Sequence, residues 1–104
     1  MNWGLTDAAV TEIRSVLIHY PEVERAMLYG SRAKGNCKPG SDIDLTLMGS
    51  DLTLETLARI QSELEAGALP YQIDLSILSQ ISHPELLDHI KRVGVVFYER
   101  PNNA

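Results

Sequence analysis

The chain has 104 residues, enough for one domain (taken as 1–104) with one core. Its 44% apolar and 22% charged content excludes a disordered protein, and a net charge of −5 argues against nucleic acid as a direct partner, because neutralising phosphates needs clustered Lys and Arg. Cys37 is the single cysteine, so there is no internal disulfide and no cysteine metal site. The start, Met1-Asn2-Trp3-Gly4, shows no secretory signal, and no apolar run approaches the ~20 residues of a membrane span; a cytoplasmic protein without membrane contact is expected.

Thr6 can cap a helix over about residues 7–19, with Val10, Ile13, Val16, Leu17 and Tyr20 at helical spacing and Pro21 as its end. Residues 23–29 hold the apolar run Ala26-Met27-Leu28-Tyr29, bounded by Gly30, which reads as a buried strand. Gly35, Pro39 and Gly40 make residues 31–41 largely loop, with room for one helical turn at Ser31. Residues 41–48 read as a second strand, and Gly49-Ser50-Asp51 turns the chain. Thr53 opens a helix to about Ala66, with Leu54, Leu57, Ile60 and Leu64 on one face and Gly67 as its stop. A third strand follows over residues 71–78. Ser82-His83-Pro84-Glu85 starts a helix with Leu86, Leu87 and Ile90 inward, Gly94 ends it, and Val95-Val96-Phe97-Tyr98 is a fourth strand. Only the tail, residues 101–104, looks loose.

Strand side chains alternate between faces. Ile43, Leu45 and Leu47 oppose Asp42, Asp44, Thr46 and Met48; Tyr71, Ile73, Leu75 and Ile77 oppose Gln72, Asp74, Ser76 and Leu78. Each strand thus has one apolar and one largely polar face, unlike the strands of a doubly wound sheet. An α+β, two-layer fold is expected, with helices on one side of a four-stranded sheet and an open polar side opposite. If the second and third strands are neighbours, Asp42, Asp44 and Asp74 share that side.

Three carboxylates on one exposed face repel one another unless a cation sits among them. Mg²⁺, with Mn²⁺ as an alternative, takes one or two carboxylates and completes its shell with water and substrate phosphates. Two such ions about 3.5–4 Å apart can hold the attacking and leaving oxygens of an in-line displacement. Asp42 and Asp44 are placed to bridge both ions; Asp74 would hold one and orient or deprotonate the attacking hydroxyl. Gly30 lets backbone approach phosphates closely, Ser31 offers an N–H and a hydroxyl, and Lys34 and Arg32 would offset phosphate charge. Within 15 residues, Gly30 to Asp44, the chain describes a site for a metal-bound nucleotide. His83 and His89, six apart, do not share a helical face and make a weak case for zinc. The four tyrosines read as core or core-edge residues.

Tyr29-Gly30-Ser31, ten residues (Arg32 to Ser41), then Asp42-Ile43-Asp44 resembles the signature of the nucleotidyltransferase superfamily related to DNA polymerase beta. Gly30-Ser31-Arg32-Ala33-Lys34-Gly35 with Ser41-Asp42-Ile43-Asp44-Leu45, and the closing stretch from Arg92 to Glu99, resemble more narrowly the minimal nucleotidyltransferases of bacteria and archaea. The resemblance spans about residues 5–99 and implies a palm-like domain with a mixed sheet, and it assigns Asp74 as the third carboxylate. It also implies a helical HEPN-type partner in a toxin–antitoxin system, in which the nucleotidyltransferase, as antitoxin, moves AMP from ATP to a tyrosine of the HEPN ribonuclease (AMPylation). Lys34 departs mildly from the pattern, standing where Arg is frequent, and it lacks the bidentate fork of a guanidinium. Nucleotidylation of a small molecule bound by a helical partner, or a non-catalytic antitoxin that works by binding, are the alternatives.

Overall fold

The structure, a computed structural model, describes residues 3–38 and 40–101. The elements are α1 (Asp7–Leu17), β1 (Arg25–Tyr29), α2 (Ser31–Lys34), β2 (Ile43–Met48), α3 (Leu54–Ala66), β3 (Ile73–Ile77), a 3₁₀ turn (Leu78–Gln80), α4 (Pro84–Val93) and β4 (Val95–Glu99). Each long helix starts on a side-chain cap. Thr6 Oγ1 accepts the Ala9 N–H at 3.1 Å, Thr53 Oγ1 the Thr56 N–H at 3.2 Å, and His83 Nδ1 the Leu86 N–H at 3.2 Å. No helix among the described residues is long and apolar enough to cross a membrane. Of the tail expected to be loose, residues 102–104 lie outside the described residues, as does Pro39 in the loop.

The four strands form one mixed sheet in the order β3-β2-β1-β4. β1 runs antiparallel to β2 and β4, while β2 and β3 are parallel and joined by the α3 crossover. On one face Ala26, Leu28, Ile43, Leu45, Leu47, Leu75 and Ile77 pack with Val10, Ile13 and Leu17 of α1 and Ile60 and Leu64 of α3. This is the expected helical layer. Each large side chain fully buried there contributes about 1.5–3 kcal/mol. Leu54, expected on the inner face of α3, is instead 64% exposed at the first position of the helix.

The opposite face carries Met27 and Tyr29, Asp44 and Thr46, and Asp74 and Ser76, paired across the strands in register. It is less open than expected. β3 and β4 occupy opposite edges, so the chain between them must cross the sheet, and the contact of His89 in α4 with Tyr29 puts the crossing on this face. The 3₁₀ turn lies against β2 and α4 against β1. Thr46 is consequently fully buried, with its hydroxyl bonded to Ser76 Oγ at 2.9 Å. The end of the face bearing Asp42, Asp44 and Asp74 stays accessible.

Candidate active site

β2 and β3 bring two carboxylates side by side. Asp44 and Asp74 are register partners on parallel strands, and neighbouring strands lie about 4.8 Å apart. Asp42 stands one residue before β2, where the loop enters the sheet. Asp42 and Asp74 are exposed and Asp44 is half-buried. Burial pushes the Asp44 carboxyl above the usual carboxylate range, and the charges of Asp74 and Asp42 push it further; His89 opposes them. The three aspartates thus interact electrostatically, and Asp44 is held unwillingly as an anion. A divalent cation reverses that penalty. Among the described residues, no three His, Cys, Asp or Glu side chains converge into a ready-made metal cage. Mg²⁺ asks for less: one or two carboxylates, with water and phosphate oxygens filling the rest. The donor set fits such an ion.

β1 delivers the second half of the site. It ends at Tyr29, opposite Asp44. Gly30 then turns with φ 79°, ψ −158° and starts α2. A Cβ at Gly30 would land inside van der Waals contact of Asp44 Oδ2, so the glycine is required by the carboxylate packed against it as well as by its positive φ. Ser31 is half-buried and Lys34 exposed, both on the single helical turn that follows. The Lys34 N–H donates to the Gly30 carbonyl at 3.1 Å, and the Asn36 N–H to the Ser31 carbonyl at 3.1 Å.

Arg32 is corrected by the structure. Expected at the phosphates, it is 1% exposed and spends its guanidinium on backbone carbonyls. Its Nε and Nη2 donate to the Ser41 carbonyl at 3.1 and 2.7 Å, and its Nη1 to the Trp3 carbonyl at 3.0 Å. The guanidinium also lies 5.0 Å from the Tyr71 ring centroid. Arg32 therefore pins the loop immediately before Asp42.

His89 belongs to the site and was missed in the sequence. Its Nε2 accepts the Gly30 N–H at 3.1 Å, and its ring stands edge-on to Tyr29 with centroids 6.2 Å apart. His83 lies elsewhere, as the cap of α4. The usable signal was positional: His89 falls three residues after Leu86 and beside Ile90, on the inner face of an amphipathic helix. Tyr29 is buried beside the carboxylates; burial is the largest influence raising its hydroxyl pKa, with a hydrogen bond to Ser76 opposing and Asp44 and Asp74 adding.

The family model "Polymerase beta, Nucleotidyltransferase" matches residues 11–103. No curated protein matches the chain. Among solved structures, a toxin–antitoxin pair with AMP-PNP superposes with a TM-score of 0.69 at 22% identity, covering 91% of this chain and 74% of that one. A tri-AMPylated HEPN toxin in complex with an MNT antitoxin from Shewanella oneidensis gives 0.68 at 21% identity, with 91% and 73% covered. A protein named as a candidate minimal nucleotidyltransferase gives 0.67 at 25% identity, with 91% and 95% covered. The match over nearly the whole length, on a fold that sets the Gly30-Ser31 turn beside Asp44 and Asp74, means that the chain belongs to the polymerase beta nucleotidyltransferase family.

Proposed function

We propose that this nucleotidyltransferase moves AMP from ATP to a tyrosine hydroxyl of a HEPN-type toxin and so acts as its antitoxin. The observation that carries the reading is the in-register pair Asp44–Asp74, with Asp42 at the strand entrance and the Asp44 carboxyl seated against Gly30. Purely structural strand positions are depleted in Asp, and two side by side on one face serve stability poorly. The likeness to toxin–antitoxin pairs, one of them with an AMPylated toxin, supports the choice of acceptor.

Asp42, Asp44 and Asp74 would hold Mg²⁺ or Mn²⁺. When bound, the ion supplies charge stabilisation to the phosphates and leaving pyrophosphate. Gly30, Ser31 and Lys34 would lie along the phosphate chain: the glycine allows close approach, the serine offers its N–H and hydroxyl, and the lysine supplies an exposed cation. Asp74, the outermost and more exposed carboxylate, would orient the tyrosine hydroxyl and accept its proton. The hydroxyl oxygen forms a bond to the α-phosphorus, the bond from that phosphorus to the bridging oxygen breaks, and pyrophosphate leaves. Asp42 and Asp74 are exposed, so a partner would cover the nucleotide and exclude water.

Calorimetric titration of ATP with and without Mg²⁺ tests the metal-bound site. Binding that requires the metal is expected. Equal affinity and equal turnover in EDTA would overturn it.

A further inference from the structure

We infer that His89 is a positioning residue for Asp44, acting through the backbone of Gly30; the inference rests on the reading of Asp44 as a metal ligand given above. Three observations meet at one glycine. A Cβ built on it would fall inside contact distance of Asp44 Oδ2 as the carboxylate now stands. Its N–H donates to His89 Nε2 at 3.1 Å. Its carbonyl accepts the Lys34 N–H at 3.1 Å.

The logic follows from what glycine is. A residue without Cβ is demanded here, yet such a residue is the most conformationally free in the chain. Left alone, Gly30 could rotate about φ and ψ and lose the surface on which the carboxylate rests. Its carbonyl is fixed locally by α2. Its amide has no partner from the sheet, because β1 ends at Tyr29, and the fixing group comes from His89, 59 residues further along the chain. Accepting at Nε2 puts the neutral ring's proton on Nδ1. The ring is itself oriented by its edge-on contact with Tyr29, and α4 is anchored by the buried Ile90 next door. A chain of contacts thus runs from α4 through His89 and Gly30 to the carboxylate. Outer-shell partners of metal ligands commonly change metal affinity 10–100-fold when lost, about the effect expected here.

The test compares His89→Gln with His89→Asn. Gln carries an amide oxygen to about the position of Nε2; Asn reaches only to about Nδ1. Both are neutral and polar at a half-exposed position, so both variants should fold. Two quantities are read: the Kd for Mn²⁺ alone, and the hydrogen-exchange rate of the Gly30 amide in metal-free protein. Asp44→Asn serves as control. His89→Asn is expected to weaken Mn²⁺ by about 10-fold or more and to speed Gly30 exchange by a similar factor, with His89→Gln within about threefold of the wild type on both. Wild-type Mn²⁺ affinity in His89→Asn, where Asp44→Asn has lost it, would overturn the inference. Unchanged Gly30 exchange in His89→Asn would also overturn it, whatever the metal does. If Asp44→Asn itself binds Mn²⁺ normally, the metal assignment falls, and the exchange rates still decide whether His89 holds Gly30.

Discussion

Gly30→Ala separates two consequences of one methyl group. The backbone at Gly30 has φ 79° and ψ −158°, a region essentially only glycine adopts, where an alanine costs about 1–3 kcal/mol. For 104 residues the unfolding entropy near the melting point is about 0.22 kcal/mol/K, so melting should fall by about 5–14 °C. The same methyl also occupies the place of Asp44 Oδ2. A carboxylate on a short flexible stem can swing away at little cost in stability, but it then leaves the metal, and misplacement by about 1 Å costs on the order of 10²-fold in rate. Gly35→Ala is the control for a positive-φ glycine without the clash: it is left-handed at φ 84°, ψ 11°, and no described atom lies within 4 Å of where its Cβ would be. Both variants should melt lower, Gly30→Ala by at least as much as Gly35→Ala. Only Gly30→Ala should lose transfer, by about 10²-fold, with Gly35→Ala within a few-fold of the wild type. Differential scanning fluorimetry beside a radiolabelled-ATP transfer assay reads both. Equal loss of activity in the two variants, or full activity in Gly30→Ala, would refute the packing argument.

Asp44→Asn probes charge. Burial, Asp74 and Asp42 raise this carboxyl's pKa, so without metal the folded protein binds that proton more tightly than the unfolded chain and stability falls as pH rises through the raised value. In EDTA the variant should therefore melt at or above the wild type at neutral pH, with the advantage vanishing below the ordinary carboxylate range; a variant less stable at neutral pH counts against it. Arg32→Met removes the donors to the Ser41 and Trp3 carbonyls and should cost about 2–4 kcal/mol, a melting drop of about 9–18 °C by thermal denaturation. A variant of wild-type stability that has lost ATP affinity would return Arg32 to the phosphates.

Alternation made the sheet legible. Ile43-Asp44-Leu45-Thr46-Leu47 and Ile73-Asp74-Leu75-Ser76-Ile77 each declare a buried and a polar face, and the structure places Asp44 beside Asp74. The turn at Gly30 was legible too, because glycine and serine after an apolar run have few uses. What the chain did not reveal are relations set by tertiary contact. Arg32 and Lys34 look alike in a basic loop, yet α2 sends one inward to Ser41 and leaves the other in solvent. His89 acts on a residue 59 positions away, and no local pattern encodes such a contact. The crossing of the 3₁₀ turn and α4 over the polar face follows only from the strand order, which buries Thr46 and leaves the aspartate end accessible. Strand limits differed by a residue or two: Ser41, Asp42, Tyr71 and Gln72 precede the paired ladders, although the Gln72 carbonyl already accepts the Ile43 N–H at 2.9 Å.

The intact mass of a HEPN-type toxin, measured after incubation with this protein, ATP and Mg²⁺, tests the central claim most directly. The account predicts mass gains of one or more AMP units, located on tyrosine, absent in EDTA and absent with Asp74→Asn. A toxin that is bound and neutralised by the wild-type protein with no change in mass would contradict it.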